Sequence, residues 1–189
     1  MFNEQKSAQI AAWLIQRGRD RSRDMHIIKL MKLMYLAERE SMRLHGFPMT
    51  GDHFVSMPHG PVLSNTLSHA NGDAPSSPDN GWDTWIRDKA NHKVGLRREV
   101  TPESLDHLSR ADLAVLQLVW KKFGAKTYAQ LRDYTHDPKN CPEWRDPLGS
   151  SKPIEYATVF KALGYEPTLA TELAAEIKAQ NKLTLALSS

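Results

Sequence analysis

The segment MHIIKLMKLMYLAERESMRLHG, residues 25–46, constrains the fold more than any other part of the chain. Ile27, Leu30, Met31, Met34 and Ala37 recur at helical spacing, and Ile28, Leu33 and Leu36 widen the apolar face beyond that of a surface helix. A helix with so broad a face needs packing partners on more than one side, so the rest of the chain is expected to wrap around it. Asp24 stands where a cap for its start is wanted. Gly46 suits its end, and Pro48 opposes continuation.

The flanking sequence supplies partners of the right kind. Residues 4–17 carry Ile10, Trp13, Leu14 and Arg17 at helical spacing and stop at Gly18. Ser109 followed by Asp112 has the form of a capping box ahead of RADLAVLQLVWKKFG, and Thr127 is placed to cap YAQLRDYTH. Pro153 is expected to start a helix running to Gly164. After Pro167 a last amphipathic helix presents Leu169, Leu173 and Ile177, followed by the tail KLTLALSS, read as loose or edge-bound. HFVSM and the alternating Val94, Leu96, Arg98 and Val100 read as strands, paired with each other in one small sheet. NGDAPSSPDNG is a loop by composition, mobile unless something binds it, WDTWIRD fits either regular structure, and residues 137–153 are irregular. The fold class is therefore mainly α, a compact multi-helix domain with a small accessory β element. Residues 1–166 form its body; residues 167–189 are either part of it or an interaction arm.

SMPHGPVLSNTLSHANG sets a histidine, a glycine and a proline in a row. Gly60 suits an N-cap and Pro61 the first helical position, with Val62, Leu63, Thr66, Leu67 and Ala70 facing inward and Gly72 ending the helix. On that reading His59 stands at a helix N-terminus, where open N–H groups would accept a partner's carboxylate or phosphate.

Other chemistry is poorly represented. The 25 Lys and Arg against 22 Asp and Glu leave a charge of +3, without the clustering of a nucleic-acid footprint. In the run Arg17, Arg19, Arg21, Arg23, the interruptions Asp20 and Asp24 and the lack of aromatic residues favour a solvated basic loop that could face an acidic protein. Cys141 is the only cysteine, which excludes an internal disulfide and a multi-cysteine zinc site. His45, His53, His59, His69 and His136 show no His-x-x-x-His pair, so no metal is expected. Cys141 and His136 lack the surroundings of a nucleophilic dyad, and no phosphate or dinucleotide loop is present, so neither catalytic residues nor a cofactor are expected. No apolar run reaches the roughly 18 residues of a membrane span and the start is not a signal peptide, which reads as a cytoplasmic protein. Core placement is the default for each tryptophan; Trp82 and Trp85 beside the flexible loop, and Trp144 in the irregular one, are those best placed to serve instead as exposed binding anchors.

Three stretches together resemble a known family. KLMKLMYLAERESMRLHGFPMTG resembles the signature helix of the Panacea domain, or SocA-like antitoxin domain. SMPHGPVLSNTLSHANG resembles its Gly-Pro-Val turn, and DLAVLQLVWKKFGAKTYAQLRDYTHDPKNCPEW its later Phe-Gly, Thr-His and tryptophan. The resemblance spans residues 8–164. It departs from the family in the DPKNCPE spacer between His136 and Trp144 and in lacking an appended helix-turn-helix, so operator binding by this chain alone is not expected. The resemblance implies a mostly helical antitoxin of a bacterial or phage toxin–antitoxin pair, a protein without catalysis of its own that neutralises a cognate toxin by binding it. The alternative is an adaptor delivering the toxin to a protease, with a protease or chaperone as further partner. It also implies that His59, Gly60, Pro61 and Val62, with Thr135, His136 and Trp144, either line a shared pocket or stitch the fold together. Arg19, Arg21, Trp82 and Trp85 are the further candidates for partner contact. The oligomeric state stays open, since Leu169, Leu173 and Ile177 would equally serve a dimer.

Overall fold

The computed structural model describes residues 1–18 and 24–187. In chain order its elements are α1 (Glu4–Gly18), β1 (Asp24–His26), α2 (Ile27–His45), β2 (Phe54–Met57), β3 (Gly60–Leu63), α3 (Ser64–Asn71), α4 (Trp82–Trp85), β4 (Ile86–Ala90), β5 (Lys93–Leu96), α5 (Arg110–Phe123), α6 (Tyr128–His136), β6 (Lys152–Ile154), α7 (Tyr156–Ala162) and α8 (Pro167–Leu187). The fold is mainly α with two small three-stranded antiparallel sheets, ordered β1-β5-β4 and β3-β2-β6.

The breadth of the apolar face on α2 is used in full. Every residue from Met31 to Glu38 is buried, and α1, α3, α5, α6, α7, β1 and β3 all pack on this helix. Its C-terminus closes on Gly46, whose left-handed φ of 78° lets its N–H reach Met42 O. Its start differs from expectation. Residues 24–26 pair with β5 as a strand, so Asp24 is not the cap; its carboxylate pairs with Arg87 and the His26 ring accepts from Ile28 N–H instead. Both capping boxes on later helices are present, Ser109 with Asp112 and Thr127 with Gln130.

The strands depart from the sequence reading in three ways. HFVSM and the 93–96 strand lie in separate sheets, because β2 pairs with its own hairpin partner and β5 with β1 and β4. Pro153 starts no helix: it sits in β6, which occupies the edge of its sheet, where a missing N–H breaks no ladder between two neighbours. The following helix begins at Tyr156. The segment KLTLAL is not loose but continues α8, which rests on α7 through Ala170, Ala174 and Ile177 while Leu183, Leu185 and Leu187 face outward.

The loop between α3 and α4 is held by α1. The Glu4 carboxylate accepts from Ser76 Oγ at 3.0 Å, from Ser77 N–H at 3.1 Å and from Trp82 N–H at 2.8 Å. The turn after α2 is held in the same manner by Glu38, buried on α2, which accepts from the N–H groups of Met49 and Thr50 and from the Thr50 hydroxyl. Burial pushes the Glu38 carboxyl up to about 7.

Candidate functional site

The Gly-Pro-Val stretch is a strand and not a helix start. β2 and β3 form a hairpin in which Met57 pairs with Gly60, leaving Pro58 and His59 as the loop. Gly60 leaves that loop at φ 94°, a conformation that disfavours any side chain. Leu63, not Gly60, precedes the helix, and the donors at the start of α3 are already occupied. Asp52, eleven positions before Leu63 and in no regular element, accepts from Asn65 N–H at 2.9 Å, from Thr66 N–H at 2.8 Å and from Thr66 Oγ1 at 2.7 Å. The chain thus supplies the anion that was expected from a partner.

The residues singled out around this turn do converge. A Cβ on Gly60 would lie 2.8 Å from Lys32 Nζ, 2.9 Å from Thr135 Oγ1 and 2.9 Å from His136 Cδ2, so α2 and α6 press against β3 at this one point. The His136 and Trp144 rings stack at 4.3 Å and 6°, and Trp144 Nε1 donates to Met57 O at 3.1 Å across the hairpin. Thr135 is fully buried and its hydroxyl donates to Arg132 O. Val62 and Pro61 are buried in β3, whereas His59 is exposed at the loop tip. Among the described residues, the buried His136 Nε2 atom has no hydrogen-bond partner. Burial, and then the nearby Lys32 charge, hold the His136 imidazole below its ordinary range.

Lys32 was not anticipated. It lies in KLMKLM between two core residues, with Ile28 and Leu36 one turn either side, and that break in an otherwise apolar face was the available signal. Only 1% exposed, it donates from Nζ to Pro61 O at 2.7 Å. Burial brings its amine down to about 7. Beside it a cavity of about 300 Å³ opens between the start of α2 and the hairpin, with Ile27, Ile28, Met31, Met57, His59 and Val62 among its walls.

A second buried polar group anchors the segment after α6. Glu143, its side chain fully buried, accepts from Tyr35 Oη at 2.6 Å and pairs with Arg39 Nε at 2.6 Å. Cys141 is buried in the same segment, and burial pushes its thiol up to about 12, opposite to what a nucleophile requires.

Trp82 and Trp85, candidates for exposed anchors against a default of core placement, are core residues; Trp85 Nε1 donates to Asn80 Oδ1 at 3.0 Å and Arg98 covers its ring. The loop composition around them pointed outward, but α4 packs on α1 and carries both rings inside. Arg19 and Arg21 lie outside the described residues. Among the described residues no group of three or more His, Cys, Asp and Glu side chains is placed to hold a metal ion, and no helix is long and apolar enough to cross a membrane.

A broader concavity of about 570 Å³ lies on another side of α2, against α5. Leu36, Val119, Phe123 and Tyr134 line it together with Lys121, Lys122, the Arg43–Glu40 ion pair and Arg39, whose partner is Glu143. Leu118, 48% exposed, stands at the same surface.

The family model described as antitoxin SocA-like, Panacea domain, matches residues 30–145, which contain most of α2, the hairpin, α5, α6 and the Glu143 anchor. No curated protein and no solved structure matches the chain.

Proposed function

Since the chain belongs to the SocA-like antitoxin family with its Panacea domain, we propose that it neutralises a cognate toxin by direct protein–protein binding, without catalysis of its own. The observation that carries this reading is the concavity between α2 and α5. An apolar floor of Leu36, Val119 and Phe123 beside Lys121 and Lys122, with Arg43 paired to Glu40 on the same wall and Arg39 paired to Glu143, suits a toxin segment with an apolar anchor and an acidic residue for the two lysines. The cluster of Gly60, Thr135, His136 and Trp144 serves this function as scaffold: it brings the hairpin, α6 and the segment after α6 together against α2, the helix that presents the concavity.

The test is co-expression with the product of the adjacent gene, following growth, toxin abundance and co-purification. Growth arrest relieved by this chain, with a stable complex and unchanged toxin abundance, is the expected result. Relief accompanied by loss of the toxin would replace direct neutralisation with delivery to a protease. Leu118→Asp places a charge at the exposed edge of the concavity and is expected to abolish co-purification while leaving the fold intact. Undiminished capture by that variant would remove the concavity from the interface.

A further inference from the structure

We propose that the cavity between the start of α2 and the β2–β3 hairpin binds a small amphiphile ending in a carboxylate, its chain against Ile27, Ile28, Met31 and Val62 and its carboxylate on the Lys32 ammonium. This site is separate from the concavity assigned to the toxin, which shares no residue with it.

The argument begins with the cost of the lysine. A buried ammonium loses hydration worth several kcal/mol and normally recovers it from a carboxylate and a full set of acceptors. Lys32 is 1% exposed, and among the described residues its ammonium makes one hydrogen bond, to Pro61 O. No acidic residue is among those lining the cavity. The titratable groups that face Lys32 are His59 on the hairpin, His136 on α6 and Cys141 in the turn that follows, and none is a carboxylate. A methionine would satisfy the packing of α2 at this position without that cost. What the lysine adds is a positive charge at the wall of a mainly apolar hollow whose other polar side chains are His59 and Asn71, neither of them an anion.

The size and lining of the hollow select the ligand class. About 300 Å³ lies at the lower end of the range for small-molecule sites. With Ile27, Ile28, Met31, Met57, Val62 and Leu67 around it and only Asn71 and His59 as further polar side chains, the space fits a single medium-length hydrocarbon chain better than a peptide terminus, whose several amide groups would outnumber the partners there. Met31 and Met57 are unbranched and adjust to chains of differing length.

Proton linkage follows from the same geometry. Lys32 is held near 7 when the cavity has no anion, so a carboxylate binds together with a proton and stabilises the charged amine. Affinity is therefore highest below about pH 7 and falls by up to about tenfold per pH unit above it.

The experiment is calorimetric titration of the full chain with octanoate, octanol and octylamine at about pH 6.5 and pH 8.5. Octanoate is expected to bind at least about tenfold more tightly than the other two at the lower pH, and to weaken by at least about tenfold at the higher. Lys32→Met is expected to lose the preference for octanoate over octanol while octanol binding persists. Should that variant fold poorly, Ile28→Trp fills the cavity from its half-buried edge with Lys32 in place, and is expected to lose both ligands. Equal affinity for octanoate and octanol, octanoate binding that survives Ile28→Trp, or tighter binding of a short peptide with a free carboxyl terminus would each overturn the proposal. None of these outcomes depends on toxin binding.

Discussion

Tyr35 donates its phenolic hydrogen to a Glu143 carboxylate oxygen at 2.6 Å, joining two residues 108 positions apart in the chain. With Arg39 on the other side, this bond fixes the irregular segment after α6 to the central helix and so sets where Trp144 meets His136. Tyr35→Phe keeps the ring against Phe54 but leaves Glu143 with Arg39 alone. A hydrogen bond to a buried carboxylate predicts a loss of about 1.5–3 kcal/mol in urea unfolding. A loss below about 0.5 kcal/mol would mean that Arg39 alone holds the segment.

Gly60→Ala tests the point where the hairpin meets α2 and α6. The added methyl would come within 2.9 Å or less of Lys32, Thr135 and His136, and φ is 94°. The left-handed backbone and the overpacking add to at least about 2 kcal/mol of destabilisation. Gly72→Ala is the control, since it shares the positive φ but meets nothing within 4 Å. Equal losses at both positions would show that backbone conformation alone explains the glycine at 60.

The buried lysine gives stability a distinctive pH dependence. The folded-state amine titrates near 7, below its ordinary 10.5, so between these values the unfolded chain holds a proton that the folded chain has released. Stability from this group is complete above the unfolded value and is lost as pH falls through about 7. Wild type should therefore gain up to about 1.4 kcal/mol per pH unit relative to Lys32→Met from pH 7 upward. Urea titrations of both proteins between pH 7 and about 8.5 measure the slope, below the range where Cys141 of the unfolded chain is largely ionised. Parallel curves would show that Lys32 keeps an ordinary pKa. Glu38 acts in the opposite sense: its raised carboxyl lowers stability as pH rises from about 4.5 to 7, which leaves the lysine window clear.

For toxin capture, exchanging Lys121 and Lys122 for glutamate should slow association by at least about tenfold at low salt and much less at high salt, with a smaller change in dissociation. Both side chains are exposed. Association rates that are independent of charge and salt would mean that the toxin approaches another face.

What the sequence made legible was local. The apolar face of α2, its stop at Gly46, the Ser109–Asp112 capping box and the Thr127 cap are written within a few residues of where they act, and each was readable. The convergence of Gly60, Thr135, His136 and Trp144 was reached through a family resemblance, because no periodicity links the hairpin to α6. The errors share one cause. Gly-Pro followed by apolar residues satisfies the rules for a helix start, yet β2 on one side and Asp52 at the next helix decide otherwise. For Trp82 and Trp85 the default core reading holds; the polar loop beside their short helix offered exposure as the alternative, and packing against α1 decides it. Lys32 looked like a lysine on a long amphipathic helix; its burial depends on β3 lying across it.

The sheet β3-β2-β6 carries a consequence for synthesis. β2 and β3 are adjacent in sequence and need only each other to pair, but β6, which covers the other edge of β2, is made on the order of 90 residues later. At ordinary translation speeds that edge stands open for roughly 5–20 s. A hairpin formed in that interval would expose an unpaired strand, a template for pairing with the neighbouring chain on a polysome. Pro153 is suited to the end of that interval: once β6 docks, its ring leaves the new outer edge short of a donor, and further strands are discouraged from adding.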